Sequence, residues 1–483
     1  MSAYRHGVYV SQLPTSIIPP RRVDCAIPVV VGAAPAHMIE EGQTGPVNQP
    51  VLAHSHAEAV TALGYSDDWA AYGLCEFVYS QFVLHAAGPV ILINVFDPAR
   101  HKTAVTAEAV SFSGGRATLA HAGLVAAPVV KSADGQTTHA AGADYHVDPI
   151  AGVIRLSEGS AIAAGATVAV DYVYGDPSKL TADDVIGGID AATGAASGLE
   201  LVDQIFPRFG LLPGLIVAPG WSRHPLVAAV MAAKAANVNG HFRAMAVVDV
   251  DSGPDGAAKY ADVAAWKAQN NYADSNMIVC WPKVALAGKE FWLSTQVAGR
   301  IAATDADNGG VPFESPSNKA LEINGAVAAG QAVWLGPAEA NYLNSQGVVT
   351  ALNWNGSWRL WGNRTGCYPA NTDVKDAFIG VQRMFCWLGN EFVLTFWQKV
   401  DRPITRRLVE TIVDSYNIRL NGLAAREAIL GGRVEFLRAE NPASELMDGA
   451  ITFHLYVTPP SPAREINGLI EYDPGYLAVL FGN

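Results

Sequence analysis

Ile27-Pro-Val-Val-Val31 is a run of β-branched side chains with no polar residue alternating among them. A strand wetted on one face alternates apolar and polar residues, so this run belongs to a strand covered on both faces. The texture returns at 90–96 (Val-Ile-Leu-Ile-Asn-Val-Phe), 215–218, 245–250 and 277–281. Helical patterns lie between these runs. Ser55-His-Ala-Glu58 has the form of a capping box and opens a short helix that Gly64 closes. At 68–87, Trp69, Tyr72, Leu74, Val78 and Phe82 recur near helical spacing, which predicts a long amphipathic helix. Further helical stretches fall near 198–209, 224–237, 256–269 and 292–304. Buried strands alternating with helices of this length predict an α/β core around a largely parallel sheet.

The rhythm breaks between about 100 and 179. Ala, Gly, Thr and Ser dominate there, and Val168, Val170, Tyr172 and Tyr174 alternate on one strand face. This stretch reads as an all-β domain inserted into the core, with its two ends near Asp97 and Asp176 lying close together. Near 348–361, two strand-like runs flank Asn355-Gly356, a strong hairpin signal. The final section predicts a C-terminal α+β domain. A helix starts at Pro403 and runs to about Asn421, with Leu408, Val409, Ile412, Val413, Tyr416 and Leu420 as its apolar stripe. Strands follow near 433–438 and 450–458.

Composition narrows the function. The 483 residues suggest about three domains, and half of them are hydrophobic, enough for several cores. A net charge of −13 gives no bulk electrostatic case for nucleic acid or an anionic membrane surface. The most apolar runs, at 83–96 and 211–221, are broken by Pro89 and Pro213 and fall short of a bilayer span. The opening residues lack a charged head followed by an apolar core, so nothing marks the chain for secretion. Five scattered cysteines without a CxxC pair read as buried or incidental thiols of a reducing cytosol.

The search for chemistry ends without a constellation. No GxGxxG follows a strand, and no phosphate-binding GxxxxGKS or GxxxxGKT, GxSxG or HExxH occurs. His54 and His56 have ligand spacing but no third donor, and read as a solvated loop with a helix cap. The acidic loops starting at Asp249 and Asp305 have Tyr260 and Pro316 where a calcium loop needs a bidentate Glu, so they read as turns. Trp334, Trp354, Trp358 and Trp361 read as sheet packing rather than a sugar platform. No catalytic residue, cofactor or metal is assigned. Between Lys399 and Arg438, however, eight basic residues face five acidic ones, a local positive excess in an acidic chain. Arg402, Arg406 and Arg407 crowd the N-terminal end of a helix, where cations oppose the helix dipole. That placement points to a docking surface for an acidic partner.

Several motifs stand together in one order. They are Tyr4-Arg-His-Gly-Val-Tyr-Val10, Pro14-Thr15 and Ile18-Pro-Pro20; Ile27-Pro-Val-Val-Val-Gly-Ala-Ala-Pro35; and Val-Val-Thr at 348–350 followed by Trp361-Gly-Asn-Arg-Thr365. Then come Pro403-Ile-Thr405, Asn421-Gly-Leu423, Gly431-Gly432, Asn441-Pro442 and Thr458-Pro-Pro-Ser-Pro-Ala463. This series resembles the contractile-tail sheath proteins of temperate myophages and R-type pyocins, over most of the chain outside 100–180. The resemblance implies a structural subunit, not an enzyme. Such subunits form a helical homo-polymer of stacked hexameric rings around a tail tube and contract when a baseplate triggers them. It implies partners in itself, the tail tube protein, and the baseplate and tail terminator proteins, with no nucleic acid and no membrane insertion. It also implies assembly in the host cytoplasm into a virion tail. An α/β enzyme without a recognised motif, or a carbohydrate-binding adhesin acting through the insert, are the alternative readings.

The expected organisation is an N-terminal arm at 1–24, an α/β core at 25–99 and 180–365, and an inserted outer β-domain at 100–179. A C-terminal α+β domain at 366–475 and a terminal strand at 476–483 complete it. Both chain ends carry short apolar runs with no place in their own domain: Gly7, Val8, Tyr9 and Val10, and Tyr476, Leu477, Ala478, Val479 and Leu480. An isolated strand is unstable in water, so each is expected to add to a sheet edge of another subunit. Arg402, Arg406 and Arg407 are expected to face the tail tube.

Overall fold

The computed structural model describes residues 25–40 and 43–482. The five apolar runs are strands of one eight-stranded sheet. Its order is Pro50–Ala53, Val90–Asn94, Pro28–Gly32, Leu215–Val217, Met245–Asp249, Met277–Cys280, Val348–Trp354 and Ser357–Trp361. The six inner strands pair in parallel, and the two edge strands are antiparallel. Every residue of Pro28–Gly32, Val90–Asn94 and Met245–Asp249 is buried, as unbroken apolar strands require. The Asn355-Gly356 turn closes the last pair with both residues at positive φ, 52° and 77°, the twist a two-residue hairpin needs. The chain is therefore a mixed α/β protein with several sheets.

Two helix expectations need correction. The helix read at 68–87 is only Gly73–Tyr79, continued by a π-helical turn at Ser80–Leu84. Asp68 to Tyr72 forms a turn in which Asp68 Oδ1 accepts from the Ala71 N–H, so the aromatic spacing there is met without a helix. The helix read from Pro403 begins at Arg406 and runs to Ala425. Thr405 is its cap, accepting from the Leu408 N–H, and Pro403 lies outside.

Residues 102–175 leave the sheet and return beside the point of departure. Lys102 lies opposite Gly175, and the Asp176 N–H donates to the His101 carbonyl at 2.9 Å. The segment forms two three-stranded antiparallel sheets around its own cluster of buried side chains, including Phe112, Ile154, Val170 and Tyr172. A further four-stranded sheet, unforeseen in the sequence, is built from Lys283–Leu286, Lys289–Phe291, Gly325–Ala328 and Gln331–Ala332.

The C-terminal section packs directly on the sheet. Helix Ile379–Phe396 buries most of its circumference, and helix Arg406–Ala425 lies against it. The Tyr416 hydroxyl donates to the Leu388 carbonyl at 3.0 Å. Strands Gly431–Glu435 and His454–Thr458 form an antiparallel hairpin sheet beside the second helix.

The strand expected at Tyr476–Leu480 is not what the single subunit shows: Pro474–Phe481 is a 3-10 helix. Among the described residues nothing pairs with it, and local turns satisfy main-chain groups that a lone strand would leave open. Gly7 to Val10 lie outside the described residues.

Candidate assembly surface

The side chains most suited to chemistry are occupied in holding the fold. Asp249, at the end of its strand, accepts from the Ser294 N–H and the Ser222 hydroxyl, both at 3.0 Å. Glu76 accepts from the Trp292 N–H at 2.7 Å and the Thr295 hydroxyl at 3.0 Å. Both carboxylates thus cap the start of helix Leu293–Asp307, where negative charge is favoured. Burial lifts Asp249 to about 6. A cleft of about 840 Å³ opens beside them at the carboxyl ends of the strands, where α/β sheets often bind ligands. Four of the charged residues on its walls are already paired, Arg223 with Asp251 and Lys283 with Glu290, each at 3.4 Å.

The loops weighed as metal sites have the same character. Asp305 forms a buried two-point ion pair with Arg383. Ser55 and Glu58 cap the helix after His54, with Glu58 accepting from the His54 N–H at 2.8 Å. No group of three potential metal ligands occurs among the described residues. Trp358 is buried against the sheet, while Trp334 and Trp354 are exposed.

The distinctive sequence motifs are also structural. In Trp361-Gly-Asn-Arg-Thr365, Arg364 stacks on Tyr368 and Phe378 at 4.3 and 3.7 Å, and the Thr365 hydroxyl donates to the Asp376 carbonyl. The buried Lys267 ammonium donates to the carbonyls of Gly366 and Tyr368 at 2.7 and 2.9 Å. Asn441 bonds both main-chain groups of Thr452 and so closes the excursion between the two hairpin strands.

What is left unspent lies on the C-terminal section. Arg402, Arg406 and Arg407 are all exposed where the chain enters helix Arg406–Ala425. Arg406 pairs with Glu410 at 2.7 Å, and among the described residues Arg402 and Arg407 form no ion pair. Trp397, Val400 and Ile404 are exposed beside them. The helix itself is anchored below by Arg419, which bonds the fully buried Glu391 at 2.8 Å. Burial pushes the Glu391 carboxyl up, and the guanidinium draws it partly back.

Beyond the hairpin, Pro459, Pro460 and Pro462 lead into a tail in which Leu469, Tyr476, Val479, Leu480 and Phe481 are all exposed. Leu469 is 98% exposed and Phe481 87%, a density of wet apolar side chains that a finished monomer surface avoids. Sequence reasoning found this tail by its apolar run. It missed the buried Arg383–Asp305 and Arg419–Glu391 pairs, because nothing in spacing announces partners 78 and 28 residues apart.

Carboxylates engaged in capping and a tail left exposed among the described residues suit a structural assembly protein. Comparison with known proteins makes the class specific. The chain is 31% identical over 491 residues to the tail sheath protein of Burkholderia phage BcepMu, covering 99% of both chains. It is 24% identical over 307 residues to the tail sheath protein of Escherichia phage P2, covering 62% of this chain and 73% of that one. No family model matches. Among solved structures, its fold is similar to the contracted sheath of the PVC extracellular contractile injection system, with a TM-score of 0.58 at 13% identity and 99% of both chains covered. The contracted helical sheath of the anti-feeding prophage gives 0.57 at 13% identity, over 98% of this chain and 100% of that one. The chain belongs to the tail sheath proteins, structural subunits of contractile tails. Its relatives are structural tail sheath proteins, a family not known to be enzymatic, and neither the catalytic nor the adhesin reading is favoured.

Proposed function

We propose that this subunit polymerises as stacked hexameric rings around a tail tube, and that the sheath contracts to drive the tube through a cell envelope. Assembly takes place in the host cytoplasm, with the tail tube, baseplate and tail terminator proteins as partners. Its architecture is an α/β core at 25–99 and 180–365, an outer β-domain at 100–179 and a C-terminal α+β domain at 366–475. The arms at 1–24 and 476–483 join subunits. The energy of contraction comes from two packings of the same subunits, so no active site is required.

The observation that carries this reading is the exposed apolar tail, Tyr476 to Phe481, on the same chain as a two-stranded sheet whose His454–Thr458 side is joined by no further strand among the described residues. A neighbour's segment added to such an edge gives directional main-chain hydrogen bonds. The Pro-rich stretches at 14–20 and 459–462 let such links bend while the strands stay paired. Deleting residues 1–20, or 476–483, should each give a soluble, folded monomer that electron microscopy shows unable to build sheaths. A truncated protein that still forms long tubes sinks strand exchange for that end.

Arg402, Arg406 and Arg407 face the tube in this reading, because they form an exposed cationic group with little intrachain pairing. Reversing Arg406 and Arg407 to Glu should weaken binding to tubes and leave sheath self-assembly unchanged. Equal tube binding by both proteins across a salt titration counts against it.

A further inference from the structure

Cys25, where the described part of the chain starts, stands on the wall of a groove of about 440 Å³. It is pinned there: its thiol donates to Asp305 Oδ2 at 3.1 Å, and its carbonyl accepts from Arg383 Nη2 at 3.3 Å. Ala302, Ala303 and Ala306 of helix Leu293–Asp307 line a second wall, and the turn at 86–89 lines a third. Side chains this small leave room for a main chain to lie close. Asp307, also lining the groove, is exposed and forms no ion pair among the described residues. Two polar side chains from one stretch of chain, His85 and Gln81, form part of the lining. The His85 ring bonds Gln296 Oε1 at 3.0 Å. Gln81 lies fully buried in the π-helical turn Ser80–Leu84, yet neither its Nε2 nor its Oε1 has a partner among the described residues. A carboxamide carries two donors and an acceptor, and an interior that leaves all of them unmet calls for a missing partner. Elsewhere in the fold a carboxamide has such a partner. Asn417 of helix Arg406–Ala425 accepts from the Val434 N–H at 2.8 Å and donates to the Val434 carbonyl at 3.2 Å. Gln81 is equipped for the same two bonds and lacks the main chain to make them with.

We propose that this groove is the seat of the subunit's own segment Arg21-Arg22-Val23-Asp24, with Gln81 bonding one of its peptide groups and Asp307 drawing its arginines. The occupant follows from position and charge. Joined to the pinned Cys25, four residues reach at most about 14 Å, so this segment stays beside the groove whatever path it takes. The same tether gives it a high effective concentration there. Val23 suits the alanine wall, and Arg21 and Arg22 carry the charge opposite to that of Asp307. Seated in the groove, the segment fixes the point from which residues 1–20 leave the subunit, so the arm springs from a clamped root. The seat lies within one subunit and does not depend on where the arm ends. It therefore stands or falls apart from strand exchange.

The test is limited trypsin digestion of the full-length soluble subunit, read by mass spectrometry, with Arg5 in the same arm as the reference site. Cleavage after Arg21 and Arg22 should be at least about tenfold slower than after Arg5, at every protein concentration. Gln81→Ala removes the carboxamide, and Ala306→Phe fills the groove from an exposed helix position. Each should raise the rate after Arg22 at least about tenfold. Should Gln81→Ala not fold, Ala306→Phe still decides it. Equal cleavage at all three arginines in the unaltered subunit overturns the proposal. Slow cleavage that the groove variants leave unchanged also overturns it, since the segment is then covered somewhere else. Protection that fades on dilution gives the groove to a second copy's segment, and the proposal falls.

Discussion

The insert at 102–175 and the C-terminal section at 379–458 hang on the same sheet, but their apolar side chains go to different places. Phe112, Ile154, Val170 and Tyr172 form a cluster of their own, separate from the sheet's. Ile379, Met384, Tyr416, Leu420 and Val434 belong to one continuous cluster with the sheet strands. A region with its own core folds around itself and meets its host at a seam. A region that shares a core cannot move without the strands beneath it. That difference suits the two roles proposed for them, since tension applied at the hairpin edge passes straight into the eight-stranded sheet.

The buried ion pair between Arg383 and Asp305 is the sharpest place to break the shared core. Each side chain is 3% exposed, with Arg383 Nη1 3.0 Å from Asp305 Oδ1, and the guanidinium also donates to the Cys25 carbonyl. Arg383→Ala leaves an uncompensated carboxylate in the interior, a loss of about 3–5 kcal/mol. Because helix Ile379–Phe396 shares its core with the sheet, chemical denaturation should show core and C-terminal section losing stability together. Two separated transitions for these regions contradict the shared core.

These regions also differ in how far the sequence revealed them. The sheet strands were legible because a parallel strand is apolar throughout, and Asn355-Gly356 fixed its hairpin. The alternation at 168–174 was legible because one face is wet: the burial pattern of Thr167–Gly175 alternates over most of its length. Helix Ile379–Phe396 gives no such sign. Its 18 residues are buried on nearly every side, so no polar stripe marks a helical period. The strands at Lys289–Phe291 and Gln331–Ala332 are three and two residues long, too short to show a period. The apolar tail proposed for assembly is visible as composition. Asn417, whose side chain bonds both main-chain groups of Val434, is not, since an asparagine inside a helix signals nothing until the strand beside it is in place.

The seam beneath the insert carries a titratable group. The His37 ring lies 5.4 Å from Phe96, and both its nitrogens are buried with no hydrogen-bond partner among the described residues. The insert grips it with glycines: a Cβ on Gly123 or Gly175 would lie 2.5 or 2.8 Å from Nε2. Burial lowers His37 to about 4. The folded state then binds this proton less readily than the unfolded chain, whose histidines titrate near about 6.5. The contribution is full above that value and is lost as pH falls from about 6.5 to about 4, at most about 3 kcal/mol. His85, half-buried beside Gln296 and lowered by burial to about 4, acts in the same direction. His37→Leu should flatten part of the acid slope in thermal melts and leave the share belonging to His85. An unchanged slope between pH 4 and 6.5 removes His37 from the account.

Deleting the insert should have the smallest effect on assembly, and this test bears most directly on the contrast between the regions. The cut belongs at 102–175, inside the turn, because His101 contributes to the core side. Its Nδ1 accepts from the Asp97 N–H at 3.0 Å, and its Nε2 lies 3.4 Å from Asp184. His101 and Asp176 already meet through a main-chain hydrogen bond, so a short Gly/Ser linker closes the gap without pulling on the sheet. The deletion removes a complete cluster of buried side chains and leaves the sheet's cluster whole. What it newly exposes is the His37 face of the seam, so the core should lose no more than about 1–2 kcal/mol, the range of an ordinary surface-to-seam change. Sheath assembly, read by electron microscopy, should proceed as in the full chain, because the arms, the hairpin edge and the cationic helix end are all intact. A deletion protein that is soluble and folded yet forms no polymer would mean that the insert belongs to the contractile lattice, and that a core of its own does not make a region dispensable.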